Sequence, residues 1–203
     1  MSRTVPSWLD DPVAMVVGEG EGVEAVAHEL AAAGATIGRG PYAESIEEAD
    51  SALDALSRAA RDPVTLLVHA SPVHQIEIDA ANSADTWRGE IGPRLDSPFF
   101  YSAALVRRLF DLKSGGAILF LSRPWAQASS AAAASDAALQ NLTKTLSVEW
   151  ARDGIRTNMV QSGFLDGGSK TELRSLGALA SYLMSDYAAY VTGCIMGVDE
   201  TDV

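Results

Sequence analysis

Few side chains in this sequence are equipped for chemistry, and they cluster in a few places. Gly18-Glu19-Gly20-Glu21-Gly22-Val23-Glu24 is a glycine-rich turn studded with carboxylates. His69, Ser122 with Arg123, and Asp136 are separated in sequence, yet each follows an apolar run or opens a helix. A serine, a histidine and an aspartate are the residue types of a hydroxyl nucleophile, its base and an orienting carboxylate. No G-x-S-x-G elbow surrounds Ser122, so nothing in the sequence fixes that geometry. The other histidines, His28 and His74, lie on an exposed-looking helix and in a loop. With three histidines and a single cysteine, Cys194, no metal-ligand spacing is present and no metal is expected.

The elements that must position these groups alternate between strand and helix. Val13 to Gly18 is a short apolar run closed by glycine, read as a buried first strand. The glycine turn then enters a helix reaching about Ala33, with Gly34 as its stop. Strand, glycine turn and helix is the arrangement that holds a pyrophosphate on backbone N–H groups at a helix N-terminus. Here Glu19, Glu21 and Glu24 lie where that anion would sit, at a cost on the order of 1 kcal/mol per charge pair in water and more when desolvated. Ala35 to Ile37 is a second strand, with Arg39 just beyond it. A helix capped by Ser45 runs to about Ala60, and Val64 to Val68 is a buried parallel strand. From Ser83 a helix continues across Pro93 and Pro98 to about Lys113. Ala117 to Leu121 is the next strand. A long helix from about Ala131 to Arg152 carries Leu139, Leu142, Leu146 and Trp150 as a core stripe and Ala131 to Ala134, Ala137 and Ala138 as a small-residue face. Asp153-Gly154 stops it, and Ile155 to Val160 is the strand that follows.

Ala137-Ala138-Leu139, Asn141 to Leu146 and Gly154-Ile155-Arg156-Thr157-Asn158 together resemble the short-chain dehydrogenase/reductase family, in which Y-x-x-x-K-A-A-L opens this helix and G-I-R-V-N follows it. Tyr182 to Asp186 and Tyr190-Val191-Thr192-Gly193 resemble its F-L-A-S-D and Y-I-T-G stretches, so the resemblance covers nearly the whole chain. It implies an α/β fold, a doubly wound parallel sheet of Rossmann-like type, as a single domain over residues 1–203. The family's third strand and substrate lid are expected to be reduced or missing, since Gly40-Pro41 leads almost directly to the next helix and Gly163 to Lys170 almost directly to the last. The family's Asn-Ser-Tyr-Lys catalytic set falls on Arg94, Arg123, Ala132 and Asp136, with Ser122 keeping only the serine ahead of the catalytic one. In the cofactor turn Gly18 and Gly22 keep two glycines, while Glu24 falls on the third.

On these changes no catalytic set and no NAD(P) binding are expected. The function expected is a non-catalytic subunit that stabilises or regulates an active short-chain dehydrogenase/reductase. By the resemblance it would form a homo- or hetero-oligomer through the two long helices. The alternative is a cofactor-independent enzyme or small-molecule binder that reuses the cleft, distantly akin to halohydrin dehalogenases. Arg94 or Arg123 is expected to pair with Asp136 and close the former lysine pocket. The formal net charge of −12 excludes nucleic acid and anionic membrane as partners, because both would repel it. One cysteine fits a reducing compartment, and the start, Met1 to Asp11, has no apolar leader, so a cytoplasmic protein is expected.

Overall fold

The computed structural model describes residues 9–72, 84–123 and 130–199. Four strands form the centre of a parallel sheet: β1 (Val13–Val17), β3 (Val64–Ala70), β4 (Gly116–Ser122) and β5 (Ile155–Ser162). β1, β3 and β4 are largely apolar runs because helices cover both sheet faces, whereas β5, IRTNMVQS, mixes apolar and polar residues. β2 (Thr36–Gly40) and β6 (Ile195–Val198) are half-buried edges, and the order is β2-β1-β3-β4-β5-β6. After β2 the chain crosses back to the far side of β1. The connections leaving β1 and β3 therefore diverge at their carboxyl ends, which is where doubly wound sheets open a crevice.

One face is covered by α1 (Glu21–Ala32) and α6 (Lys170–Met184), which pack Val23, Val26, Leu30, Leu176 and Leu183 over Val16, Val68 and Leu119. The other is covered by α2 (Ile46–Ala60), α4 (Ser97–Leu112) and α5 (Ser130–Trp150). There Leu53, Leu105, Leu109, Leu139, Leu146 and Trp150 meet Met15, Leu67, Phe120 and Met159. The leucine stripe of α5 is thus core, as its spacing requires. The alanine run is divided: Ala131 and Ala132 are buried, whereas Ala134 and Ala137 face outward.

The helix expected to run across two prolines does so by changing its winding. α3 (Ala84–Ile91) passes into a π-turn, Gly92–Asp96, and then into α4. The wider turn absorbs Pro93, which lacks the N–H an α-turn would use. Arg94 sits in this π-turn, at the edge of the crevice. Among the described residues no strand lies outside β2, and a 3-10 turn (Gly163–Leu165) leads directly to the Ser169 cap of α6, in keeping with a lost third strand and a shortened lid. β2 is longer than the sequence suggested and takes in Arg39. No helix among the described residues is long and apolar enough to cross a membrane.

Candidate functional site

Gly18 leaves β1 with φ 111° and Gly20 precedes α1 with φ 117°, conformations that a side chain would strain. Gly20 is the N-cap and supplies no side-chain cap, so the first-turn N–H groups of α1 face the crevice without one. Gly22 is required for a different reason. A Cβ there would lie 2.6 Å from the Phe164 carbonyl oxygen and 2.7 Å from Leu165 Cα, so it lets the 3-10 turn seat on α1. Glu21 and Glu24 do not fill the cradle, whereas the Glu19 charge is near enough to act on Tyr42 at the turn. Glu24 turns away to accept a 2.6 Å bond from Arg39 Nη2 on β2, and Glu21 lies against Gly167. Glu19, Glu21 and Glu24 are all exposed, where water screens their charge.

A second set of groups lies further along the same edge, beneath α5. Strand alternation puts Ser122 and Gln161 on the α5 face, and the β4–β5 register pairs them directly. Ser71 N–H donates to the Leu121 carbonyl at 2.8 Å, extending the β3–β4 pairing and setting Ser71 beside Ser122. From α5, Asp136 comes down onto this row. Its Oδ2 accepts from Gln161 Nε2 at 2.8 Å and from Gln140 Nε2 at 2.9 Å. Its Oδ1 has no hydrogen-bond partner among the described residues, and neither has Ser122 Oγ. Asp136 is 8% and Ser122 2% exposed. A buried hydroxyl and half a carboxylate without partners are costly, by about 1–3 kcal/mol each, and mark a place prepared for something else.

The two arginines do not reach Asp136, against expectation. Arg94 is held by Glu90, with which it forms a buried pair at 3.3 Å, and by the Pro72 carbonyl at 2.8 Å. Arg123 pairs with Asp166 beyond the 3-10 turn. Asp136 is instead held by two amides, those of Gln140 and Gln161. Ala132 is buried in the first turns of α5 and offers only its methyl group.

His69 is not part of this row either. It is buried on β3 with its ring between Tyr42 and Tyr101, at centroid distances of 5.6 and 5.9 Å, and its Nε2 meets Ser97 Oγ at 2.8 Å. Burial pushes its pKa down to about 3. Ser97 Oγ also accepts from Ala43 N–H at 3.0 Å. No Ser-His-Asp array forms, which removes the hydrolase reading. Above His69, the Tyr42 hydroxyl lies at the glycine turn, 3.3 Å from where a Gly18 Cβ would be, and its pKa is pushed up to about 12 chiefly by burial. His74 lies outside the described residues. Among the described residues no group of three His, Cys, Asp or Glu side chains is placed to hold a metal.

Sequence reasoning singled out Asp136, Ser122 and the glycine turn, but it missed Gln140, Gln161, Ser71, Tyr42 and Ser97. Gln161 had a usable signal: a polar residue at an inward position of an otherwise buried strand.

Residues 12–176 match the family model described as short chain dehydrogenase. The chain is 31% identical over 141 residues to a probable 2,4-dienoyl-CoA reductase of Bacillus subtilis, covering 56% of each protein. It is 29% identical over 168 residues to an L-tagatose-forming galactitol 2-dehydrogenase of Cereibacter sphaeroides, covering 68% of this chain and 65% of that one. The chain thus spans between half and two-thirds the length of these relatives. Its fold is that of a short chain dehydrogenase from Mycobacterium smegmatis, with a TM-score of 0.81 at 19% identity, covering 100% and 98% of the two chains.

These findings overturn three expectations. A non-catalytic subunit, a chain that is not an enzyme in its own right, and a chain without a nicotinamide cofactor all conflict with relatives that are named as dehydrogenases and reductases. The electrostatic argument against the cofactor failed for a physical reason. Of the three glutamates, Glu24 is paired with Arg39 and Glu21 lies against Gly167, and all three are exposed to water.

Proposed function

The chain belongs to the short-chain dehydrogenase family, and from that premise we propose that it is an oxidoreductase interconverting a hydroxyl and a carbonyl group. The observation that carries this reading is the Asp136 carboxylate, buried, held by two glutamines and with one oxygen left without a partner, at the same sheet edge as the glycine turn. The turn fits a nicotinamide dinucleotide: Gly18 and Gly20 hold positive φ, the α1 N-terminus has no side-chain cap, and Arg39 stands at the end of β2. Gly18, Gly20 and the first N–H groups of α1 would hold its phosphates. When bound, that group supplies or accepts the hydride.

The chain's own residues account for the rest. With alanine at 132, the proton of the reacting hydroxyl has no tyrosine to go to. Asp136 Oδ1 is the acceptor in its place, and Gln140 and Gln161 fix the carboxylate through its other oxygen, leaving Oδ1 without a partner. Ser122 hydroxyl can donate to the carbonyl oxygen as it forms. Calorimetric titration with NAD(H) and NADP(H) tests the reading. Micromolar binding of one pair, weakened in Gly18→Ala, is expected; no heat and no thermal shift with any of the four would sink it.

We also propose a cytoplasmic setting and self-association through α4 and α5, the long helices of the second layer. Phe99 and Phe110 lie about three turns apart on one stripe of α4, and both are exposed, as is Val148 on α5. Exposed apolar side chains in a stripe favour a covering partner.

A further inference from the structure

A cavity of about 320 Å³ lies at the amino edge of the sheet, the end opposite the glycine turn and the α5 row. It opens between the starts of β1, β3, β4 and β5, where Pro12, Thr65, Gly116 and Arg156 line it. Its floor is apolar and buried, made by Leu9, Leu66, Ala117 and Met184. Its rim is polar and reaches water: Asp10 and Asp186 are exposed, and Thr65, Ser114 and Arg156 are half-buried. That volume stands at the lower end of the roughly 300–1,000 Å³ of ligand pockets and suits one small molecule. We propose that this cavity binds a free α-amino acid with an aliphatic side chain, independently of the oxidoreductase reading.

The charges of the rim point to both ends of such a molecule. Arg156 reaches from β5 to the end of α6, whose last turn has no basic residue of its own. It donates from Nη1 to the Leu183 carbonyl and from Nη2 to the Ser185 carbonyl. Those bonds use two of the five N–H groups of a guanidinium, and the others have no partner among the described residues. Burial lowers the Arg156 pKa and the Asp186 carboxylate opposes that shift, so the two charges act on each other through space. Yet no ion pair joins them among the described residues, and the Asp10 and Asp186 carboxylates accept no hydrogen bond there. A cation and a carboxylate apposed across a gap leave room for a zwitterion. Its carboxylate takes the spare guanidinium N–H groups, and its ammonium takes Asp186 beside the negative end of the α6 dipole. Its side chain covers the apolar floor. Two carboxylates to one guanidinium disfavour a ligand that carries a carboxylate alone.

Three compounds of one skeleton test the assignment: L-leucine, 4-methylpentanoate, which lacks the ammonium, and 3-methylbutylamine, which lacks the carboxylate. Binding to the full chain is followed through backbone amide shifts by NMR. Leucine is expected to bind at least about tenfold more tightly than either truncated compound, a modest factor for one lost charge pair. The shifts should gather at Gly115, Arg156 and Asp186 and spare Gly18 and Ser122 at the other edge. Asp186→Asn, at an exposed position, should weaken leucine and the amine without weakening 4-methylpentanoate. Arg156→Lys keeps the charge but loses the fork, and should weaken leucine and 4-methylpentanoate while sparing the amine. Should the lysine variant unfold, the Asp186→Asn arm decides alone. No amide shift with any of the three at about 10 mM, far weaker than a specific site requires, overturns the proposal. So do shifts confined to the carboxyl edge, either truncated compound binding as tightly as leucine, or leucine binding unchanged in Asp186→Asn.

Discussion

Asp136 is the residue on which the proposed chemistry turns, and its environment makes a stability prediction as well as a functional one. A buried carboxylate with one unsatisfied oxygen is kept at a cost, and active sites commonly hold such groups at the expense of stability. Asp136→Asn should raise the unfolding free energy of the ligand-free protein by about 1 kcal/mol in urea denaturation, because the amide is uncharged while its oxygen still accepts from Gln140 and Gln161. A loss of stability would mean that the carboxylate is satisfied in solution. His69 gives the pH dependence. Its folded pKa, about 3, lies below the usual value near 6.5, so between those values the unfolded chain binds the extra proton. This contribution is whole above pH 6.5 and is lost as pH falls toward 3, at up to about 1.4 kcal/mol per pH unit. His69→Gln should flatten that slope of stability against pH between about 4 and 6.

At the scale of elements, the turn after β5 and the start of α1 are one packed unit. Gly22→Ala would drive a methyl group into Phe164 and Leu165 backbone and should cost about 1–3 kcal/mol in thermal or urea unfolding. A neutral result would show that the 3-10 turn moves freely. The central strands, the long α5 helix and its leucine stripe were legible in the sequence, since each is set by local periodicity over a buried surface. The helix through Pro93 and Pro98 was legible too, but not the π-turn that accommodates it, because the winding depends on what the turn packs against. What the sequence hid were contacts between distant positions. Gln161 and Asp136, 25 residues apart, and His69 and Ser97, 28 apart, meet only once strand register is fixed. The same gap misdirected the two arginines: charge alone suggested that Arg94 or Arg123 would find Asp136, but Glu90 lies one helical turn from Arg94 and Asp166 faces Arg123 across the 3-10 turn.

The whole molecule joins a conserved scaffold geometry to an altered set of reacting groups. Family membership rests on a match across most of the chain, and the sheet order places the glycine turn and the α5 row on one edge. Self-association belongs at this scale: the mass in solution should exceed that of one 21.4 kDa chain, and Phe110→Asp should shift it toward the single chain. A monomer before the substitution would refute the covered stripe. On the proposed reading, hydride exchange persists with alanine at 132 and aspartate at 136. The near-ultraviolet absorbance of reduced nicotinamide, followed while the full chain is mixed with galactitol and NAD⁺ or NADP⁺, tests it most directly. The account predicts a steady rise that is reduced at least about a hundredfold in Asp136→Asn, within the range general-base catalysis contributes. No rise with either dinucleotide, or an equal rate in Asp136→Asn, would contradict it.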